Sequence, residues 1–240
     1  GGYISGQRLS EELQISRSAI WKHMKALEKD GFEIEAVSRK GYRIVSAPNE
    51  MSSSSIQWGL ETEWLGKKVI FEKQTDSTQK IAHMLANEGA SHGTVVVADE
   101  QLQGRGRLSR PWYSKKGKGI WMSIILRPDM EPYRAPQLTL LTAVATSNML
   151  KQTAKIPVQI KWPNDIYIHD RKLAGILTEM QGEQDRIEYV IIGIGMNINH
   201  SHADFPEDVE NKATSLKIES EKEWKREPFI QALLKELEQL

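Results

Sequence analysis

Apolar residues near the start of the chain recur at the spacing of short helices. The run from Arg8 to Gln14 predicts one helix, and Ile20 and Leu27 lie on one face of a second. Ser16 is suited to cap the start of the second helix, and Gly31 is suited to end it. We therefore expect two helices separated by a short turn.

Two strand-like runs follow these helices. FEIEAV and YRIVS alternate apolar and polar residues, and the SRKG between them has a glycine suited to a hairpin tip. Two helices followed by a hairpin are the order of a winged helix-turn-helix, so we predict such a domain over residues 1–47.

The basic residues of this domain lie where a winged helix contacts DNA. Residues 1–47 hold eight Lys and Arg against six Asp and Glu, and most of the basic ones lie on the second helix and at the hairpin tip. An ordinary solvated surface is the alternative, because helix-turn-helix spacing alone is a weak signal. The candidate DNA-binding residues are Arg17, Ser18, Lys22, His23, Arg39 and Lys40.

The pattern then changes to a polar stretch, SAPNEMSSSSIQ, which contains a proline and a run of serines. This composition is typical of a linker. We predict a linker over residues 48–57 and a second, larger domain over residues 58–240.

The hydrophobic pattern of the larger domain is dominated by strands. Six runs are rich in Val and Ile: VIFEKQ, TVVVADEQ, GIWMSIILRP, VQIKWPNDIYI, KLAGILTEM and EYVIIGIGMNIN. Helical stretches are fewer, at Ser77 to Asn87, Arg134 to Ala154 and Pro228 to Leu240. Because several strands follow one another without a helix between them, we predict an α+β fold with an antiparallel or mixed sheet and helices on one face.

The amino-acid composition limits the kinds of binding site that the chain can form. Of the 240 residues, 32 are Lys or Arg and 32 are Asp or Glu, so any basic site must be local. The absence of cysteine excludes disulfides and zinc–thiolate sites and agrees with a reducing cytoplasm. No apolar run approaches the roughly 18 residues of a spanning helix, so we expect a soluble, cytoplasmic protein with no membrane partner.

The stretch GRGRLSRPW, residues 104–112, joins positive charge to backbone freedom. It is no P-loop, and both it and GIGMNI lack the third glycine of a dinucleotide-binding fingerprint. Arginine holds carboxylate or phosphate oxygens in two parallel hydrogen bonds, and glycine lets the backbone approach a ligand. We hypothesise a flexible loop in which Arg105, Arg107 and Arg110 close over an anion; an exposed basic turn is the alternative.

A second cluster is KWPNDIYIHDRKLAGI, residues 161–176, where PND interrupts a strand-like run. A hairpin at this point would bring Asp165 close to Lys172. Asp165 is suited to orient Mg²⁺ on a nucleotide, and Lys172 is suited to neutralise charge on a phosphate or carboxylate. An ordinary ion pair at a structural turn is the alternative.

A third cluster is DSTQ, residues 76–79, which follows a strand and opens a helix. Its hydroxyls are suited either to cap that helix or to bind a polar ligand. Helix capping alone is the simpler interpretation of this stretch taken by itself.

Taken together, the motifs resemble a known family. TDSTQ, DEQLQGRGRLSRPW, GIWMSIILRP, KWPNDIYI, RKLAGILTE and GIGMNIN, in this order and spacing, closely resemble biotin protein ligase over nearly the whole chain. The helix-turn-helix pattern resembles the bifunctional bacterial type, which also represses biotin synthesis genes. The resemblance implies a catalytic domain related in fold to class II aminoacyl-tRNA synthetases, with a mixed sheet flanked by helices.

The resemblance also implies an activity. Such an enzyme activates biotin with ATP and Mg²⁺ to biotinyl-5'-AMP and transfers the biotin to a lysine of a biotin carboxyl carrier protein, part of acetyl-CoA carboxylase or pyruvate carboxylase. In the family the adenylate promotes a homodimer that binds operator DNA. A biotin-sensing repressor without catalysis and a lipoate-type ligase are the alternatives.

The family's site residues carry over to positions of this sequence. The resemblance implies a catalytic role for Lys172, Arg105 and Asp165, of which Asp165 is also the candidate Mg²⁺ ligand. It implies biotin binding by Ser77, Thr78, Gln79, Gln101, Arg105, Gly106, Arg107 and Lys172. It implies ATP and adenylate binding by Arg107, Arg110, Trp112, Asn164, Asp165 and Asn197.

Two parts of the family's pattern have no counterpart in these 240 residues. The first helical segment of the winged helix would precede Gly1, and we expect it to be missing. A small SH3-like barrel would follow Leu240, and we expect it to be absent as well.

Overall fold

The computed structural model describes residues 2–46, 50–183 and 185–240, in two compact units that divide between Trp58 and Gly59. The elements of the first unit are α1 (Gly6–Leu13), α2 (Arg17–Lys29), β1 (Glu33–Val37), β2 (Gly41–Ser46) and α3 (Ser53–Gln57). The predicted order of two helices and a hairpin is confirmed.

Local sequence signals explain these boundaries. Ser16 caps α2 by accepting a hydrogen bond from the amide of Ala19 at 3.2 Å. β1 and β2 pair antiparallel, and Gly41 at the tip has a φ of +104°. A Cβ atom on Gly41 would lie 2.1 Å from the carbonyl oxygen of Ile4, so this position requires glycine.

The predicted linker is partly wrong. Pro48 and Asn49 lie outside the described residues, but the serine run forms helix α3, in which Ser52 and Ser55 build a capping box. Ile56 on this helix is fully buried. The serines favour a helix start here because their hydroxyls satisfy the free amides of the first turn.

The second unit contains the predicted strands and the three predicted helices. Its strands are β3 (Val69–Glu72), β4 (Thr94–Ala98), β5 (Gly119–Leu126), β6 (Gln159–Lys161), β7 (Asp165–Ile168), β8 (Arg171–Gly182) and β9 (Ile187–Asn197). Its α-helices are α4 (Thr78–Asn87), α5 (Ala135–Thr153), α6 (Glu207–Glu210), α7 (Leu216–Ser220) and α8 (Glu227–Gln239). None of the helices in the described part of the chain has the length and apolarity needed to cross a bilayer.

The sheet of this unit is mixed, as predicted. Within the described residues it has seven strands in the order β3-β4-β5-β9-β8-β7-β6. β3 and β4 run parallel, and the other neighbouring pairs run antiparallel.

The expectation of helices on one face is wrong. The hydroxyl of Thr139 on α5 bonds Thr178 at 2.8 Å, whereas His83 on α4 reaches the next residue of β8, Glu179, at 3.1 Å. Because successive strand residues point to opposite faces, α4 and α5 cover opposite faces of the sheet. Val190 and Ile191, adjacent on β9, are both fully buried, as a strand covered on both faces requires.

Candidate active site and nucleic-acid interface

A cavity of about 580 Å³ opens over the sheet beyond the start of α4. Gly175, Gly193 and Gly195 form its floor, at paired or neighbouring positions on β8 and β9. A Cβ atom on Gly193 would lie 2.6 Å from Oε1 of Gln79, and one on Gly195 would lie 2.4 Å from Nε1 of Trp112. The missing side chains leave room for Gln79 and Trp112 to lie against the strands, so the glycines of GIGMNI are strand residues that other cavity side chains approach closely.

Neutral polar groups surround the Gly193 end of the cavity. The amide and hydroxyl of Thr78 donate to Oε1 of Gln101 at 2.8 and 3.1 Å. The hydroxyls of Thr78 and Ser123 lie 2.8 Å apart, and Ser123 donates to Oε1 of Gln79 at 2.9 Å. Thr78, Gln79 and Ser123 are buried and Gln101 is half-buried, so this end of the cavity suits an uncharged polar ring that can exchange hydrogen bonds with them.

Ser77 occupies the N-cap position of α4 without capping it. Within the described residues its hydroxyl accepts no capping hydrogen bond, and the residue is 2% exposed and lines the cavity. The interpretation of this stretch as a helix cap alone is therefore wrong for Ser77.

The GRGR loop is a hydrogen-bonded turn. The amide of Gly106 donates to the carbonyl oxygen of Arg110, and the amide of Trp112 donates to that of Gly104, both at 2.8 Å. A Cβ atom on Gly104 would lie 2.5 Å from the carbonyl oxygen of Trp112. Close packing, rather than freedom to bend, therefore requires glycine at position 104.

The first two arginines of this loop have different partners. Nη2 of Arg105 lies 3.0 Å from Oε1 of Glu179 on β8. Nη1 of Arg107 donates to Oδ1 of Asn164 at 3.1 Å, and Nδ2 of Asn164 donates to the carbonyl oxygen of Ile176 at 3.1 Å. Asn164 thus connects the loop to strand β8.

The hairpin of β7 and β8 brings Asp165 and Lys172 together, as predicted. Nζ of Lys172 lies 2.9 Å from Oδ1 of Asp165, an ion pair without the alignment of a hydrogen bond. The same Nζ lies 5.2 Å from the centre of the Trp112 ring, over the glycine floor. An ammonium group, a carboxylate and an indole thus meet in one place.

The charge of the lining is strongly positive. Within the described residues its cations are Arg105, Arg107, Arg110, Lys172 and Lys212, and its carboxylate is Asp165. This imbalance favours an anionic ligand.

The residues at Asp165 fit a nucleotide-bound Mg²⁺ better than a protein metal cluster. Among residues 2–46, 50–183 and 185–240, no three His, Asp or Glu side chains come together as a metal site. Mg²⁺ carried by a triphosphate needs only one or two protein carboxylates. Asp165 is the one carboxylate among the described residues of the lining, so it suits that part.

Every ligand and catalytic residue proposed for the larger domain lines the cavity. They are Ser77, Thr78, Gln79, Gln101, Arg105, Gly106, Arg107, Arg110, Trp112, Asn164, Asp165, Lys172 and Asn197. Asn197 is 4% exposed, and its amide donates to the carbonyl oxygen of Thr214 at 3.0 Å.

The first unit presents an exposed face on α2. With about 100° of rotation per residue, Arg17, Ser18 and Lys22 fall within a sector of about 140°. Trp21 also lies inside this sector and is 54% exposed, although it is not among the predicted DNA-binding residues. His23 is exposed but lies about 100° beyond Lys22, outside the sector.

The hairpin tip carries the remaining basic candidates. Arg39 is exposed and has a φ of +64°. Lys40 is also exposed, and its Nζ lies 5.8 Å from the ring centre of Tyr3. Both cations therefore face solvent at the tip.

Comparison with known proteins assigns the family. Residues 71–197 match the Biotin/lipoate A/B protein ligase family, and residues 1–43 match an HTH domain. The chain belongs to the biotin/lipoate A/B protein ligase family. The bifunctional ligase/repressor BirA of Bacillus spizizenii is 52% identical over 97% of this chain and 71% of that protein, and BirA of Escherichia coli is 33% identical over 82% and 60%.

A solved structure supports the ligase-family fold. The biotin protein ligase from Aquifex aeolicus in complex with biotin and ATP has a TM-score of 0.64 and 35% identity, over 72% of this chain and 69% of that chain. The predicted fold class, a ligase-like mixed sheet with an amino-terminal helix-turn-helix domain, is therefore confirmed.

Three polar residues of this ligase-family site were missed from the sequence. Ser123 is the only hydroxyl in the strand GIWMSIIL, and that isolated polar position was an available signal. Lys212 lines the cavity and Glu179 binds Arg105, but neither lies in a recognisable motif. Their roles arise from contacts between residues that are distant in sequence.

The basic stretch KKGKG, residues 115–119, belongs to an ion cluster. Lys115 and Lys118 lie 2.5 and 3.2 Å from the two carboxylate oxygens of Asp204. Burial acts to raise the pKa of Asp204, but hydrogen bonds from Lys115 and Ser201 outweigh burial and leave that pKa below its ordinary value. The cluster fixes the start of the segment that carries the cavity residue Phe205.

His200 lies beneath this segment. Its ring stacks on Phe205 with centres 4.8 Å apart and meets the edge of Trp121 at 5.9 Å. The residue is 1% exposed, and within the described residues its ring nitrogens have no hydrogen-bond partner. Burial lowers the pKa of His200 to about 4, against the opposing effect of Asp204.

Acid is expected to destabilise the protein through His200. Below about pH 6.5 the unfolded histidine binds a proton, whereas the folded one does so only near pH 4. The free energy of unfolding should therefore fall by roughly 3 kcal/mol across this window. Chemical denaturation between about pH 7 and pH 4.5 should show a smaller decrease in His200→Phe than in the wild type; an equal decrease in both would contradict the assignment.

Proposed function

We propose that the protein is an ATP-dependent biotin protein ligase that is also a biotin-responsive repressor of biotin synthesis genes. It converts biotin and ATP to biotinyl-5'-AMP and pyrophosphate, and then transfers biotin to a lysine of a biotin carboxyl carrier protein. The acceptor belongs to acetyl-CoA carboxylase or pyruvate carboxylase. One observation carries the proposal: a neutral polar end and a cationic outer part share one glycine-floored cavity.

The neutral end receives the ureido ring of biotin. Thr78, Gln79, Gln101 and Ser123 supply oriented donors and acceptors, and Ser77 adds a hydroxyl. These groups bond one another in the structure, and a ring with polar atoms can replace those hydrogen bonds, whereas an apolar ring that disrupted them would cost about 1 to 3 kcal/mol for each hydrogen bond lost. This cost favours a ligand with polar atoms around its ring.

The cationic part holds the reacting groups of the first step. A carboxylate oxygen of biotin attacks the α-phosphorus of ATP, an O–P bond forms, and the bond to the β-phosphate breaks to release pyrophosphate. Lys172 and Arg107 stabilise the negative charge that gathers on phosphate oxygens. Asp165 keeps the Lys172 ammonium in place, and Mg²⁺ bound near Asp165 and Asn164 would supply further charge neutralisation.

The nucleotide occupies the end of the cavity at Gly195. The indole of Trp112 stacks on adenine, because the glycine floor lets that ring lie flat beside the strands. Asn197 lines the same end, and Arg105, Gly106 and Arg110 contribute the loop that covers the ligand.

In the second step the neutral amine of the acceptor lysine attacks the biotinyl carbonyl carbon. An amide C–N bond forms, the C–O bond to the phosphate breaks, and AMP leaves; the amine proton passes to solvent. Exclusion of water by the loop protects the mixed anhydride from hydrolysis until the carrier arrives. Positioning and electrostatics therefore supply the catalysis.

The test is an assay with MgATP, a carrier domain and either biotin or lipoate. We expect pyrophosphate release and carrier modification with biotin but not with lipoate. Transfer of lipoate would favour the lipoate-type ligase. Biotin binding without pyrophosphate release would leave only the sensing function.

For the repressor function we propose that two copies, brought together by the adenylate, bind a two-fold operator. Each α2 enters a major groove, and the tip residues Arg39 and Lys40 contact phosphates. Two-fold pairing is required because two helix-turn-helix units contact two half-sites.

Lys22→Ala is expected to weaken operator binding and its salt dependence. If each copy loses one phosphate contact, the slope of log K against log salt should become shallower by about 1 per copy. Binding should be measured at several salt concentrations with biotin and ATP present. Lys151→Ala, an exposed lysine on α5, serves as the control; an equal change in this variant would refute a contact specific to α2.

A further inference from the structure

Arg105 forms an ion pair with Glu179 on β8. Nη2 of Arg105 lies 3.0 and 3.3 Å from the two carboxylate oxygens of Glu179. Arg105 lines the cavity, whereas Glu179 lies outside its lining. The carboxylate therefore supports the guanidinium from the side away from the ligand space.

Glu179 is itself held by a chain of contacts. Its side chain is 28% exposed, and its Oε2 lies 3.1 Å from Nε2 of His83 on α4. Nδ1 of His83 lies 3.3 Å from the hydroxyl of Tyr189 on β9, and that hydroxyl donates to Oδ1 of Asn87 at 3.0 Å. A hydrogen-bonded chain of this kind fixes the direction of each member, so the carboxylate has a defined orientation.

Helix α4 connects this chain to the neutral end of the cavity. Gln79 and His83 are four residues apart on α4, so they lie on one face, about 6 Å apart along the axis. Gln79 contributes to the polar end, and His83 orients the partner of Arg105. The same rigid element therefore sets the position of both ends of the ligand space.

We infer that Glu179 is a positioning residue that holds Arg105 at the cavity wall before any ligand arrives. The guanidinium then meets an anion, either the carboxylate of biotin or a phosphate of ATP, without first ordering a free side chain. This inference rests on the proposed function for the identity of the ligand. It does not place Glu179 in contact with substrate.

A double-mutant cycle tests the inference. We expect Glu179→Gln to raise the Kd of the anion that Arg105 binds by about threefold to fivefold, in the upper part of the range for a partly exposed ion pair. In an Arg105→Ala background the same change should raise that Kd by less than about twofold, because the partner is gone. The Kd values of biotin, its uncharged amide and ATP are measured separately, so that the comparison shows whether Arg105 binds the carboxylate or a phosphate.

Three outcomes would overturn the inference. The first is no increase in Kd for either biotin or ATP, the second is an equal increase in both backgrounds, and the third is an equal increase for biotin amide. Glu188→Gln, an exposed carboxylate on β9, is the matched control and should leave all affinities unchanged. If Glu179→Gln fails to fold, Glu179→Asp keeps the charge one methylene shorter and should show the same dependence on Arg105.

Amide hydrogen exchange tests the positioning role of Glu179 without any ligand. The amides of Gly106 and Trp112 close the loop through backbone hydrogen bonds. They should exchange faster in Glu179→Gln than in the wild type, and Glu188→Gln should match the wild type. Unchanged exchange rates in Glu179→Gln would overturn the inference that Glu179 positions Arg105. Failure of the wild type to bind biotin would instead overturn the proposed function, and the exchange rates would still test the role of Glu179.

Discussion

Lys172→Ala is expected to slow biotinyl-adenylate formation about a hundredfold or more. The ammonium of Lys172 lies 2.9 Å from Asp165 and over the Trp112 ring, where the reacting carboxylate and phosphate would meet. Removing it withdraws charge stabilisation from the transition state and leaves the buried oxygen of Asp165 without its partner. A hundredfold loss corresponds to about 2.7 kcal/mol in the activation free energy.

Pyrophosphate release with saturating biotin and ATP measures this effect. Lys116→Ala, which removes an exposed lysine outside the cavity lining, is the control and should retain wild-type activity. Thermal unfolding of both variants separates a loss of chemistry from a loss of folding. Near-normal pyrophosphate release by Lys172→Ala would contradict the proposed role of Lys172.

The second large effect is expected from alanine at two floor glycines, each affecting a different substrate. At Gly193 the new Cβ atom would displace Oε1 of Gln79, whereas at Gly195 it would displace the indole of Trp112. Gly193→Ala should therefore raise KM for biotin, and Gly195→Ala should raise KM for ATP, each about tenfold or more.

Each of these variants is the control for the other, because both add one methyl group to the same face of β9. Steady-state KM values for both substrates, with the other substrate saturating, give the comparison. Equal losses for biotin and ATP in both variants would contradict the division of the cavity into a ring end and a nucleotide end.

The secondary structure and one close pair could be predicted because their signals are local. Ser16 and Gly31 mark the limits of α2, and the interruption at PND implies a hairpin that joins Asp165 to Lys172. In each case the interacting residues are within one element or one turn of each other. Local pattern is then sufficient to specify the geometry.

The other contacts of the site and the arrangement of the helices depend on how distant segments of the chain pack together. Arg105 is 74 residues from Glu179, and His83 is 96 residues from it, so no spacing rule connects them. The prediction that the helices lie on one face of the sheet was wrong, because α5 covers the face opposite α4. The consecutive apolar residues of β9 already indicated a strand buried on both faces. The succession of strands without intervening helices, on which that prediction depended, does not specify the face that each helix covers.

The placement of α4 and α5 on opposite faces has a consequence for how the chain tolerates substitution. Toward the end of β9, Gly193, Gly195 and Asn197 point to the cavity, while Ile192 and Met196 point to the other face and are buried. In a saturation mutagenesis scan of this strand, the effects of substitutions should therefore alternate between successive residues. Changes at the odd positions would reduce activity in folded protein, and changes at the even positions would reduce the amount of folded protein.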